Sequence, residues 1–218
     1  MEQKVFVCLW LPCSGKSTQS RKLAEILQAH RIESWARIDM ISRWEIFPDL
    51  QELAQIVKTH PWELTQEEKD TLTYAQLWDV TEQQSDYVVL DGFWRNASQY
   101  KILCDVFWKF RLYFIVFHIT AKTMYKRAEW RFMDPVTRES FQDITQEDAL
   151  LRWLVRRRTD TPEVLARRLN SFQNHAVRVL NTHRQDKWYV NIVNAGHPKV
   201  EDVTKDMMAK IRHLITTL

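Results

Sequence analysis

Glycine is scarce in this sequence, with only 3 among 218 residues. Phosphate-binding loops and mobile lids normally use glycine, because it adopts backbone conformations that other residues resist. We find no internal repeat, flexible linker or low-complexity segment. The positions of the few glycines are therefore informative, and two of them, Gly15 and Gly92, lie in the two motifs described below.

Other features are also missing. No apolar run approaches the ~20 residues of a membrane span, and the first residues have the character of a core strand rather than of a secretory leader. The cysteines, Cys8, Cys13 and Cys104, are odd in number and lack metal-ligand spacing, which favours a reduced, cytoplasmic protein. A net charge of +3 argues against an acidic tail. It is compatible with phosphate-bearing ligands without requiring a nucleic-acid groove.

Hydrophobic residues make up 45% of the chain, enough for a substantial core in a single domain spanning residues 1–218. Segments with strand and helix character alternate along it. We expect strands near 5–10, 34–38, 87–90, 112–119 and 188–193, and helices near 16–30, 40–84, 96–110, 121–132, 146–157, 161–183 and 200–217. This alternation predicts an α/β fold, a three-layer, doubly wound, five-stranded parallel sheet with its ligand at the carboxyl ends of the strands.

The strongest pattern lies at the first strand–helix junction. Gly15-Lys16-Ser17 ends the phosphate-loop pattern G-x-x-x-x-G-K-[ST], with Trp10 in place of its first glycine. Backbone N–H groups at a helix N-terminus form an anion cradle there. We expect Lys16 to reach the β- and γ-phosphates of a nucleotide and the Ser17 hydroxyl to bind Mg²⁺. The alternative is a chance tripeptide at an ordinary helix start. The predicted cofactor-binding residues are Cys13, Ser14, Gly15, Lys16, Ser17 and Thr18.

A second motif follows the predicted strand at 87–90. Asp91 stands where a carboxylate can hold Mg²⁺ directly or through water, although a strand-ending turn also favours aspartate. The stretch from Asp91 to Gln99 resembles the Asp-Gly-Phe-Pro-Arg-Thr-x-x-Gln motif of the adenylate kinase family of nucleoside monophosphate kinases, with Trp94 and Asn96 as departures. The resemblance implies that Arg95 grips an acceptor phosphate and that Gln99 reads the edge of the acceptor base.

Two further stretches resemble the same family. Arg127 and Arg131 match the arginines at the entry to the family's lid, and a helix would place both on one face. Arg157 and Arg168 match those at the lid exit. Arginine stays charged and binds phosphate bidentately, so this set suits phosphoryl transfer, although a solvated basic surface is the alternative. The resemblance implies five catalytic cations, Lys16, Arg127, Arg131, Arg157 and Arg168, with a lid at about 130–157.

The acceptor side is less well matched. Arg43 comes one residue later than the family's phosphate-binding arginine, which on a helix turns the side chain by ~100°. Asp39 allows a different role, because in related kinases of hydroxyl acceptors an aspartate here takes the hydroxyl proton. A helix N-cap is the alternative for Asp39. The insertion at about 40–84 is expected to bind the acceptor, through the candidates Asp39, Arg43, Arg95 and Gln99.

These features predict an ATP- and Mg²⁺-dependent kinase that acts on a nucleotide-type acceptor. The leading hypothesis for the acceptor is a nucleoside or deoxynucleoside monophosphate. An alternative is a kinase of a hydroxyl on DNA or RNA, such as a 5′-end or a hydroxylated base. Trp10, Trp94 and Trp130 at motif positions offer stacking surfaces for a base, or else simply fill volume. A third hypothesis is a non-enzymatic, ATP-gated interaction module. The sequence leaves open the base, the sugar and the oligomeric state.

Overall fold

The computed structural model describes residues 3–42, 48–60, 63–81, 85–93, 97–137, 139–142, 144–177, 180–181 and 189–215. The strands among these residues are β1 (Lys4–Trp10), β2 (His30–Glu33), β3 (Tyr87–Asp91), β4 (Arg111–His118), β5 (Arg131–Met133), β6 (Ser140–Gln142), β7 (Val155–Arg156) and β8 (Tyr189–Asn194). The helices are α1 (Lys16–Leu27), α2 (Ser34–Ile41), α3 (Pro48–Thr59), α4 (Gln66–Thr81), α5 (Ala97–Val106), α6 (Ala121–Glu129), α7 (Gln146–Leu151), α8 (Pro162–Ser171) and α9 (Val200–Ile215).

Five strands form the main sheet in the order β2-β3-β1-β4-β8, and every neighbouring pair is parallel. The central strand, β1, pairs Val7 with Leu90 on one side and with Phe114 on the other. Its side chains from Val5 to Leu9 are buried, as expected of a parallel sheet covered by helices on each side. The predicted α/β, doubly wound, five-stranded fold is confirmed.

Alternate residues of β1 enter two separate cores. Phe6 and Cys8 pack with residues of α1 and α9 on one face of the sheet. Val5 and Val7 pack with residues of α5 on the other face. This is the period of two expected of a strand, and it creates the three layers. The described part of the chain contains no helix that is long and apolar enough to cross a membrane.

A helical insertion connects β2 to β3. It has its own cluster of buried residues, to which Ile38 and Ile41 contribute from α2. Helix α4 begins with a reciprocal cap: the Thr65 hydroxyl accepts a hydrogen bond from the Glu68 N–H, and the Thr65 N–H donates to the Glu68 carboxylate. Within the segment predicted to be helical at 40–84, the described residues include α3 and α4, with a break between them.

The strand predicted at 34–38 is wrong. The edge strand is β2, residues 30–33, and α2 begins at residue 34. Ile32 is buried in the sheet, whereas Ile38 and Ile41, which are three positions apart, are buried together in the helical cluster. Three-residue spacing belongs to a helix. In the sequence, this short apolar segment was compatible with either a strand or a helix. The residues against which it packs distinguish the two.

Two predicted helices end earlier than expected. The helix predicted over 121–132 ends at Glu129, and the one predicted over 146–157 ends at Leu151. The residues that follow form a small antiparallel sheet in the order β6-β5-β7, in which Phe132 pairs with Phe141 and with Arg156. Phe132 is buried against Ala149 and Leu154. Pairing between segments that are distant in sequence overrides their helical spacing.

Candidate functional site

The loop between β1 and α1 has the backbone of an anion cradle. Cys13 and Gly15 both have positive φ, 60° and 80°, and the Ser14 N–H donates to the Leu11 carbonyl oxygen at 3.3 Å. Helix α1 begins without a side-chain cap, so no side chain covers its first N–H groups. The Ser14 hydroxyl is buried without a hydrogen-bond partner among the described residues. An incoming phosphate would satisfy these donors.

Gly15 is needed for its backbone rather than for space. A side chain built there would meet no heavy atom within 4 Å, but its φ of 80° is one that other residues rarely adopt. Cys13 adopts a similar φ of 60° without being glycine. The loop therefore stores some strain at Cys13, as ligand-binding turns often do.

Asp91 is the centre of a buried cluster of charge at the end of β3. Its carboxylate contacts the Lys16 ammonium through one oxygen. The other oxygen accepts hydrogen bonds from the Ser20 hydroxyl at 2.8 Å and from an Arg31 guanidinium nitrogen at 2.6 Å. The side chain of Asp91 is only 1% exposed. Two cations, Lys16 and Arg31, therefore contact one buried carboxylate.

The sequence analysis missed Arg31. No motif marks this position, and the strand was predicted four residues later, so Arg31 fell in a connecting loop. In the structure β2 pairs with β3 and places Arg31 opposite Val89, two residues before Asp91. Placing the edge strand at residues 30–33 would have put Arg31 next to the strand that ends at Asp91.

The residues at this site fit a magnesium ion that is shared with a nucleotide. Ser17 is exposed on the first turn of α1, and Asp91 supplies a carboxylate at the neighbouring strand end. The described residues contain no group of three or more histidine, cysteine, aspartate or glutamate side chains arranged to hold a metal. Magnesium keeps several waters and binds through one or two protein oxygens together with phosphates, so such a protein cage is not required.

Arg127 joins two loops at the carboxyl edge of the sheet. From α6 it donates to the carbonyl oxygen of Cys13 at 3.4 Å and to that of His197 at 3.2 Å. Cys13 belongs to the phosphate loop, and His197 follows β8. At the same edge the Ala195 N–H donates to the His118 carbonyl oxygen at 2.9 Å. The expected arginine is thus in contact with the phosphate loop.

Arg131 reaches the same region from a different element. It begins β5 rather than continuing α6, so the prediction that it shares a helix face with Arg127 is wrong. Its guanidinium forms an ion pair with Asp160, with Nε donating to the carboxylate at 2.7 Å. Burial lowers the pKa of Arg131, but the hydrogen bond to Asp160 and the charges of Cys13 and Asp160 together outweigh burial, so the pKa is raised. Asp160 lies within the lid-exit stretch, but the sequence analysis assigned it no role.

The charged groups near the phosphate loop act on the pKa of the Cys13 thiol. Burial raises the pKa of this thiol, and Arg131 opposes that effect. Asp160 adds to the rise, while Arg168 and Arg157 oppose it. Three arginines from β5, from the segment after β7 and from α8 therefore act on one atom of the phosphate loop.

The acceptor candidates are only partly described. Gln99 in α5 donates to the Thr73 hydroxyl of α4 at 3.4 Å. Arg43 and Arg95 lie outside the described residues, as does the side chain of Asp39. Asp39 lies inside α2, whose N-cap is Glu33, so the helix-cap hypothesis for Asp39 is wrong. Its role as a base remains a prediction.

No protein-family model matches the chain. Among curated proteins, the adenylate kinase of Fusobacterium nucleatum subsp. nucleatum is 29% identical over 129 residues, covering 55% of this chain and 58% of that protein. The adenylate kinase of Chlamydia muridarum is 26% identical over 191 residues, covering 80% of this chain and 75% of that protein. The first match thus spans less than two thirds of the relative's length. In its parallel sheet, its phosphate loop and its sequence, the chain is thus similar to adenylate kinases and divergent from them.

Proposed function

We propose that this chain is an ATP-dependent phosphotransferase that moves the γ-phosphate of ATP to a nucleoside or deoxynucleoside monophosphate. The proposal rests on the contacts at the phosphate loop: Lys16 contacts Asp91, and Arg127 donates to the Cys13 carbonyl oxygen. The charges of Arg131, Arg157 and Arg168 act on the Cys13 thiol of the same loop. Charge develops on the equatorial oxygens of the phosphoryl group during transfer, and positioned cations stabilise it. The names of both relatives support the same class of reaction.

Each group in the site has a proposed task. Lys16 binds the β- and γ-phosphates, and the backbone from Cys13 to Thr18 surrounds them. Magnesium, held by Ser17 and Asp91 together with the phosphates, would neutralise part of their charge. The arginines stabilise the phosphoryl group in transit, and Arg131 exchanges Asp160 for phosphate. These arginines are Arg127, Arg131, Arg157 and Arg168.

The acceptor is proposed to lie between the phosphate loop and the helical insertion. Gln99 would contact its base, and Arg95 and Arg43 would hold its phosphate. Closure of the insertion at about 40–84 and of the lid at about 130–157 would exclude water, which otherwise competes with the acceptor for the γ-phosphate. A monophosphate is already ionised at neutral pH, so this reaction needs no strong general base.

The alternative acceptor, a hydroxyl on DNA or RNA, is not supported by the relatives, since neither is named as a nucleic-acid kinase. That alternative depends on Asp39 as the base, and it predicts that Asp39→Asn abolishes transfer. The monophosphate proposal predicts only a mild loss for the same change. The two hypotheses are therefore separable by a single variant.

The decisive experiment supplies γ-labelled ATP and Mg²⁺ with a panel of ribo- and deoxyribonucleoside monophosphates and with oligonucleotides bearing free hydroxyl ends. We expect label in one or a few diphosphates. Lys16→Met should remove this activity, while Lys122→Met, an exposed lysine at the start of α6, should retain it. Label confined to oligonucleotides, or absent from every acceptor, would refute the proposal.

A further inference from the structure

The carboxylate of Asp91, at the end of β3, contacts two cations. One oxygen contacts Lys16, and the other is shared by Arg31 and Ser20. The carboxylate is 1% exposed, and the side chains of Lys16 and Arg31 are 10% and 15% exposed. Removing the partner of a buried charge is strongly destabilising, because the remaining charge can be solvated neither by water nor by protein.

The two cations are held differently. Lys16 carries a single ammonium on a flexible stem at the first residue of α1. Arg31 is fixed at several points: its guanidinium contacts Glu33, donates to the Ser20 hydroxyl at 3.1 Å, and reaches the Ser17 carbonyl oxygen at 3.4 Å. A planar guanidinium serves these acceptors simultaneously. Lys16 can therefore move towards a ligand, while Arg31 is fixed beside Asp91.

We propose that Arg31 is a positioning residue, the permanent counter-charge that holds Asp91 when Lys16 leaves it for the phosphates of the nucleotide. Without Arg31, the move of Lys16 to the phosphates would leave the buried carboxylate of Asp91 with no cation from the protein. With Arg31 present, Lys16 exchanges one anion for another and Asp91 keeps its orientation beside Ser17. The nucleotide step rests on the proposed function, but the paired cations around Asp91 do not.

The first test requires no nucleotide. Thermal unfolding is measured for the wild type, Lys16→Met, Arg31→Met and the double variant. Because either cation alone can neutralise Asp91, we expect Arg31→Met to lower the midpoint only slightly when Lys16 is present. In the Lys16→Met background the same change should lower it by on the order of 10 °C. Equal shifts in the two backgrounds would overturn the proposal.

If the double variant does not fold, a third substitution decides. Asp91→Asn removes the buried charge, so it should restore folding to the protein that lacks both cations. If the triple variant also fails to fold, the defect does not arise from the charge of Asp91, and the proposal is wrong.

The second test measures binding of a non-hydrolysable ATP analogue with Mg²⁺ by calorimetry, with no acceptor present. We expect Arg31→Met to raise the dissociation constant about tenfold or more, and Arg31→Lys to recover part of the loss. The matched control, Arg21→Met, removes an exposed arginine of α1 and should leave the constant unchanged. Equal effects of Arg31→Met and Arg21→Met would overturn the proposal. A wild type that binds no analogue would refute the proposed function, and the unfolding experiment would still decide the role of Arg31.

Discussion

The ion pair between Arg131 and Asp160 offers a sharp test of how the arginines are held. Replacing Asp160 by asparagine removes the negative charge and keeps the size of the side chain. The two side chains are 11% and 4% exposed, and both carboxylate oxygens contact the guanidinium. Asp160→Asn therefore leaves a buried guanidinium with one neutral acceptor in place of a carboxylate.

The expected loss follows from this burial. Breaking a buried ion pair by removing one partner costs about 3–5 kcal/mol. Asparagine retains one acceptor oxygen, so we expect a smaller loss of about 2–3 kcal/mol. The matched control is Asp202→Asn. Asp202 faces Lys205 at 4.0 Å with side chains 42% and 81% exposed, and such a solvated pair contributes less than about 0.5 kcal/mol.

The assay is urea unfolding followed by tryptophan fluorescence, with the free energy extrapolated to water. Adding ATP and Mg²⁺ should reduce the deficit of Asp160→Asn, because phosphate would then occupy the guanidinium of Arg131. If the losses in unfolding free energy of Asp160→Asn and Asp202→Asn differ by less than about 0.5 kcal/mol, the contact between Arg131 and Asp160 is not a buried, charge-dependent ion pair.

Three further outcomes are expected. Burial raises the pKa of the Cys8 thiol from 9.0 to about 12, so its contribution to stability is complete below pH 9 and is lost as the pH rises towards 12. The free energy of unfolding should therefore fall by up to about 4 kcal/mol over this pH range. Cys8→Ala should make that fall above pH 9 smaller. Thr65→Ala should lower the free energy of unfolding by about 1 kcal/mol, since it removes the cap of α4, and an unchanged urea midpoint would contradict this. Arg168→Ala should reduce kcat by roughly 10²–10³, while Arg167→Ala, at its exposed neighbour, should leave kcat intact. Equal losses of kcat in the two variants would exclude a specific role for Arg168.

Strong local patterns were sufficient for much of the fold. The apolar strand predicted at 112–119 is β4, Arg111–His118, and it was predictable because its apolar run has clear boundaries. The strand–loop–helix unit around Gly15 was predictable because it carries its own periodicity and turn residues. The order of strands in the sheet could not be read in this way. It follows from the crossover connections, in which β3 rather than β2 lies beside β1.

The short elements were predicted poorly, for a physical reason. Strands of two to four residues, such as β2, β5 and β7, have little propensity of their own and exist only because distant strands pair with them. Their boundaries decide the position of Arg131, which was predicted on a helix and lies on a strand. The acceptor residues Arg43 and Arg95 remain predictions.

The sequence by itself determined the class of fold and the strand–loop–helix unit around Gly15, because local hydrophobic periodicity and a short motif encode these features. Only the tertiary structure decided how the charges are paired: Arg31 with Asp91, and Arg131 with Asp160. Such pairs join residues that are 60 and 29 positions apart. Coulomb attraction and burial select them only after the sheet has brought their elements together, and no local pattern in the chain records that choice.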